Sequence, residues 1–148
     1  MRWDDVELDF EKTLKGQTLT KIEGKVDGDE MIFTTVEGKV YKMDHSQDCC
    51  EQVYINDIVG DLSDLIGSPI LLAEKVESGD DPEGVNVDHD DSFLWTFYKL
   101  STIKGSVTIR WLGESNGYYS EDVSFYEVIE KKEDPKPRVL FDYTLDVS

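Results

Sequence analysis

Between Thr18 and Met43 the chain writes the same pattern three times: Thr18–Glu23, Glu30–Val36 and Lys39–Met43 are short runs rich in Val, Ile, Phe, Thr and Tyr, separated by Asp27-Gly28-Asp29 and Glu37-Gly38. Branched and aromatic side chains suit a pleated, half-buried surface, and the Gly-containing pairs supply tight turns, so this stretch predicts an antiparallel meander. The same alphabet returns downstream. Val53–Ile58 and Pro69–Glu77 read as strands, and Phe93–Ile103, the turn at Lys104-Gly105 and Val107–Trp111 have the form of a central hairpin. Gly113–Gly117 reads as a short connection and Tyr118–Ile129 as the next strand.

Helical signals are few. Val6, Phe10 and Leu14 fall at helical spacing behind Asp4 and Asp5, with Gly16 placed to stop the helix, although Val6, Leu8 and Phe10 also fit a strand. A second short helix is expected over Asp61–Ile66, where Asp61 can cap the first turn and Gly67 and Pro69 end it. The expected fold class is therefore α+β, dominated by one antiparallel sheet with one or two short helices. Trp95, Phe97, Tyr98, Trp111 and Phe125 are the expected core, since each can bury about 150–250 Å².

A length of 148 residues suits one core. Apolar residues at 39% are too many for a disordered chain, and 32% charged residues interrupt every apolar run before the ~20 needed for a spanning helix. The start, Met1-Arg2-Trp3-Asp4-Asp5, lacks the basic and apolar regions of a secretory signal, so the expected location is the cytoplasm. Residues 1–130 are expected to form a single acidic β-rich domain. Residues 131–148 comprise a charged linker, with Pro135 and Pro137, and a strand-like tail, Val139–Val147. That tail could add an edge strand to its own domain or to a neighbour, which is compatible with a homo-oligomer.

Charge narrows the partners. Against 33 acidic residues stand 15 basic ones, a formal net charge of −18. Such a surface repels phosphate backbones and anionic membranes, so direct nucleic-acid or membrane binding is disfavoured and a protein with a basic surface is the favoured partner. The acid is densest from Glu77 to Asp91, where seven carboxylates, among them Asp80, Asp81, Glu83, Asp88, Asp90 and Asp91, meet no Lys or Arg. In extended chain these seven lie about 7 Å apart on average, against roughly 3.4 Å per charge along one DNA strand, so a general acidic surface is favoured over a duplex mimic.

Two clusters could carry chemistry. The first, Asp44 to Glu51, gathers His45, Gln47, Asp48, Cys49, Cys50 and Glu51 directly behind a strand. A thiol beside His45 could act as a nucleophile, and His45 with a cysteine and Asp44 or Asp48, joined by His89, could hold a metal. Against both, the spacing fits none of the strong zinc patterns, and adjacent cysteines chelate one ion poorly. They also close no useful loop, so they make no disulfide framework. A structural role, in which these polar groups bond neighbouring backbone, is the favoured reading, with no catalytic residue, metal or cofactor expected. The second cluster is a pocket rim of Arg110, Asn116, Tyr118, Tyr119 and Ser120, where a rare positive charge joins hydrogen-bonding groups and aromatic faces. Asn116-Gly117 also serves as a plain turn signal.

Two blocks carry a family likeness: His45-Ser46-Gln47-Asp48-Cys49-Cys50-Glu51 through Gly60-Asp61-Leu62 and Leu65–Ile70, then Trp95–Tyr98 through Thr108–Trp111 and Ser115–Ser120. Over roughly Leu14–Val128 the chain resembles a domain of unknown function found mainly in bacteriophage and prophage proteins. The resemblance transfers no catalytic residue. It implies an infected bacterial cell, where small phage proteins bind and disable host factors, and hence a non-enzymatic protein that inhibits or sequesters a host factor, including one of antiviral defence. The alternatives are a small-molecule or nucleotide-signal binding protein and a Cys/His-dependent enzyme.

Overall fold

The computed structural model describes residues 7–47, 50–82, 92–115 and 120–129. Within them the fold is α+β and dominated by antiparallel sheet. A five-residue helix α1 (Phe10–Leu14) precedes β1 (Leu19–Glu23), β2 (Glu30–Thr35), β3 (Val40–Asp44) and β4 (Gln52–Val59). A 3-10 turn at Leu62–Leu65 is followed by β5 (Leu72–Ser78), β6 (Ser92–Thr102), β7 (Gly105–Ser115) and β8 (Ser124–Glu127). The meander forms as its turn chemistry predicts, with β1, β2 and β3 paired in sequence.

The single sheet expected from the sequence is instead two four-stranded sheets, ordered β1-β2-β3-β8 and β4-β7-β6-β5. The reason lies in the burial pattern. β2 and β3 bury alternate residues, so the first sheet has one apolar face, and that face is covered by the second sheet. One core results, contributed by Met31, Phe33, Tyr41, Met43 and Phe125 from the first sheet and by Ile55, Tyr98, Leu100, Ile109 and Trp111 from the second. Phe10 of α1 packs edge-on against both Tyr98 and Phe125, at 4.6 and 5.3 Å between centroids. The Trp111 indole N–H donates to Met43 Sδ across the core at 3.3 Å.

Several element ends differ from the sequence expectation, each because a backbone group finds another partner. α1 is capped by Asp9, whose Oδ1 accepts from the Lys12 N–H at 2.9 Å, while the Leu8 N–H donates to the Phe125 carbonyl and so edges β8. The part of the expected helix at Val6 lies outside the described residues, as do Asp4 and Asp5. Gly16, at φ +89°, does close the helix. Asp61 caps the 3-10 turn as expected, accepting from the Ser63 N–H at 3.0 Å. β5 begins at Leu72 rather than Pro69 because Ile70 exchanges both backbone bonds with Gly16 and Gln17. β7 runs on through Gly113 to Ser115, where a connection was expected, because Gly113 pairs with Val53 on one side and Leu94 on the other.

The largest correction concerns β6. Tyr98, Trp111 and Phe125 do enter the shared core, but Trp95 and Phe97 stand outside it. Side chains alternate along a strand, so Trp95 and Phe97 point to the face opposite Tyr98 and Leu100. Trp95 is nonetheless fully buried on that outer face, as is Leu112, its cross-strand neighbour.

Candidate functional site

The segment after β3 folds back on itself. His45 Nδ1 lies 2.8 Å from the Asp122 carbonyl and Nε2 lies 2.7 Å from Glu51 Oε2. A carbonyl oxygen can only accept, so Nδ1 carries a proton, and one further proton is shared between Nε2 and the Glu51 carboxyl. Both side chains are almost completely enclosed, at 4% and 0% exposed. Gln47 adds a second tie, its Nε2 donating to the Glu51 carbonyl at 2.7 Å. Asp44 accepts from the Tyr126 hydroxyl at 2.9 Å. His45, Gln47 and Glu51 thus join the end of β3, the start of β4 and the approach to β8.

The rest of that motif contributes less. Cys50 is exposed and disulfide-bonded, so its sulfur is no free thiol in this form. Asp48 and Cys49 lie outside the described residues, as does His89. No group of three or more His, Cys, Asp or Glu side chains suited to a metal occurs among the described residues.

Of the expected pocket rim, Arg110 and Ser120 lie among the described residues. Gly113 has its Cβ direction against Glu121, whose carbonyl would lie 2.5 Å from an added methyl, so Glu121 covers the core-side face of β7 at Gly113. Arg110, three residues earlier, points to the other face. Ser120 is exposed and bonds the Asp122 carboxylate, while the Ser115 hydroxyl donates to Glu121 at 2.7 Å. Asn116, Tyr118 and Tyr119 lie outside the described residues.

Arg110 belongs to a different constellation. Its Nε and Nη2 donate to Asn56 Oδ1 at 3.0 and 2.6 Å, and Nη2 lies 3.7 Å from Asp57 Oδ2. The guanidinium carbon sits over the Trp95 ring at 5.1 Å from its centroid. Beneath it the indole N–H donates to Asp81 Oδ1 at 3.0 Å. Of the expected acidic surface, Asp80 and Asp81 are exposed, with the Asp80 N–H on the Ser78 hydroxyl at 3.1 Å. Glu83, Asp88, Asp90 and Asp91 lie outside the described residues.

With this geometry established, comparison with known proteins places the fold in a family. The chain belongs to the family described as Domain of unknown function (DUF7448), matched over residues 12–125. No curated protein and no solved structure matches it. The DUF7448 span contains both the His45–Glu51 clamp and the Arg110 constellation, and it ends before the strand-like tail.

Within that span the sequence concealed Asn56, Asp57 and Asp122. Asn56-Asp57 is a polar pair inside the apolar run of β4, and the pairing of β4 with β7 shifts between Ile55 and Asp57. Such a bulge turns successive side chains toward one face, and a polar pair in mid-strand is the signal that could have found it. Asp122 meets His45 through its backbone carbonyl, a contact that leaves no trace in side-chain chemistry. Tyr98 is a further buried polar group: burial pushes its phenol far above the ordinary tyrosine range, and the charges of Glu7, Glu77 and Asp122 add in the same direction. Its hydroxyl donates to the Val123 carbonyl at 3.4 Å, so it serves the core as a neutral group.

Proposed function

We propose that this chain is a phage-encoded, non-enzymatic binding protein that inhibits or sequesters a host factor presenting a basic surface. The observation that carries this reading is the fate of His45. A general base must accept a proton from its substrate, yet both nitrogens of this imidazole are engaged and its side chain is enclosed. The cluster with most catalytic promise is thereby spent on fastening β3, β4 and β8 together. Exposed carboxylates include Asp61, Asp80 and Asp81, within a chain of net charge −18. A field of that sign accelerates encounter with a basic partner and keeps nucleic acid away. No helix among the described residues is long and apolar enough to cross a membrane.

The test starts from affinity capture in lysate of infected host cells, which supplies a partner, followed by equilibrium binding to that purified partner across a salt series. Neutralising Asp80, Asp81, Glu83, Asp88, Asp90 and Asp91 together, as Asn or Gln, should weaken affinity and flatten its salt dependence. Unchanged affinity and unchanged salt slope would remove the acidic segment from the interface.

A further inference from the structure

A guanidinium holds its five N–H donors in one plane and offers two flat faces for stacking. On the outer face of the second sheet that plane is fixed by Asn56 Oδ1, which takes two of the donors, and by Asp57 Oδ2 beside Nη2. The central guanidinium carbon lies over the buried Trp95 ring, 5.1 Å from its centroid. The Arg110 side chain remains 22% exposed and that of Asp57 44% exposed. The guanidinium is thus a tile held along one edge, with part of the side chain open to solvent.

The groups around the tile have hydrogen-bonding capacity to spare. Asn56 spends its amide oxygen on Arg110, and its amide nitrogen donates to nothing among the described residues. Asp57 Oδ1 accepts the Ile58 N–H at 2.9 Å, while Oδ2, among the described residues, has only the distant Arg110. An N–H donor pair and a carboxylate acceptor therefore flank one flat cationic face. Phe97, half-buried, stands directly opposite Arg110 in the register and extends the platform toward β5. The bulge between Ile55 and Asp57 is what brings Asn56 and Asp57 to this face together.

Charge decides what such a tile takes. Arg110 and Asp57 cancel locally, and the whole chain carries −18, so a phosphate or carboxylate has no net attraction here. A neutral ring with a donor beside an acceptor meets every group present. We infer that this face binds an uncharged heteroaromatic ring of the nucleoside type. The ring stacks on the open face of Arg110 as a third layer above Trp95, with its N–H on Asp57 Oδ2 and its acceptor on the Asn56 amide. The site goes beyond the acidic-surface reading and does not depend on it, since no part of it needs a protein partner.

The probes are adenosine and guanosine, each titrated into the full chain and followed by nitrogen–proton NMR at the Trp95 indole N–H and the Arg110 Nε–H. Saturable shifts of both signals are expected for at least one nucleoside. Arg110→Lys keeps the charge but loses the flat face, and should weaken binding roughly tenfold or more. Asn56→Ala should also weaken it while leaving the circular dichroism spectrum unchanged, which covers the case of an unfolded Arg110→Lys. Three results overturn the inference. One is no shift at either signal with nucleoside up to roughly 5 mM. Another is tighter binding of the corresponding monophosphate, which would mark an oxyanion site. The third is a response to N-acetyltryptophanamide alone, which would mark a docking surface for protein side chains.

Discussion

Replacing Glu51 by alanine and, separately, by glutamine tests whether the His45–Glu51 segment is a clamp. In the native protein Nδ1 of His45 is committed to the Asp122 carbonyl, and one proton bridges Nε2 and Glu51 Oε2 inside a fully enclosed site. Glutamine has the same shape and offers an amide N–H to the Nε2 lone pair of a neutral imidazole. The hydrogen bond survives, and the expected cost is under about 1.5 kcal/mol. Alanine removes the partner entirely, strands Nε2 in a site that excludes water, and leaves a cavity. Breaking a buried pair in this way costs about 3–5 kcal/mol. At about 2–4 °C per kcal/mol for a domain of this size, Glu51→Ala should lower Tm by roughly 6–20 °C. That is a large part of a total stability on the order of 5–15 kcal/mol.

Urea denaturation followed by tryptophan fluorescence measures both variants, and an unchanged slope with denaturant would show that the loss is one of stability alone. The reasoning is refuted if Glu51→Ala lies within about 1 kcal/mol of the parent protein, or if the two substitutions cost the same. Either result would mean that the imidazole is not held by Glu51. It would also return His45 to the list of groups free for chemistry.

Trp111→Ala should cost about 3–5 kcal/mol by denaturant midpoint, because the indole is fully buried between the sheets and its N–H is bonded to Met43; an unchanged midpoint would refute its place in the core. Gly113→Ala drives a methyl to 2.5 Å from the Glu121 carbonyl, so it should destabilise by about 1–3 kcal/mol and raise hydrogen exchange at residues 120–123, whereas a neutral variant would show that this segment does not pack on β7. Tyr98 sets an alkaline limit. Its native phenol resists ionisation while the unfolded one ionises near pH 10, so its contribution is complete below that pH and is lost above it by about 1.4 kcal/mol per pH unit. Tyr98→Phe should remove that part of the alkaline loss in denaturation curves measured from pH 9 to pH 11.5.

How far the sequence could be read depended on how many faces of a strand are covered. β2 and β3 bury every second residue, and that alternation is written in their side chains, so the meander was legible. β6 has Trp95 buried on one face and Tyr98 and Leu100 on the other, so its sequence is a nearly continuous apolar run that carries no face information. Five aromatics could be assigned to a core but not sorted between the inner and outer sides of a sheet. The same limit explains the site. His45 was legible as a chemical group, but its partner at Asp122 is 77 residues away, and Arg110 reaches Asn56 across 54 residues. Which polar groups meet is fixed by the pairing of β4 with β7 and of β3 with β8, and no local pattern encodes that pairing. The bulge in β4 is the instructive case. A polar Asn-Asp pair inside an apolar strand conflicts with strand propensity, and such a conflict persists where another interaction outweighs it. Here that interaction is the hydrogen bonding that holds Arg110 over Trp95, which makes a mid-strand polar pair the local sign of a long-range contact in this fold.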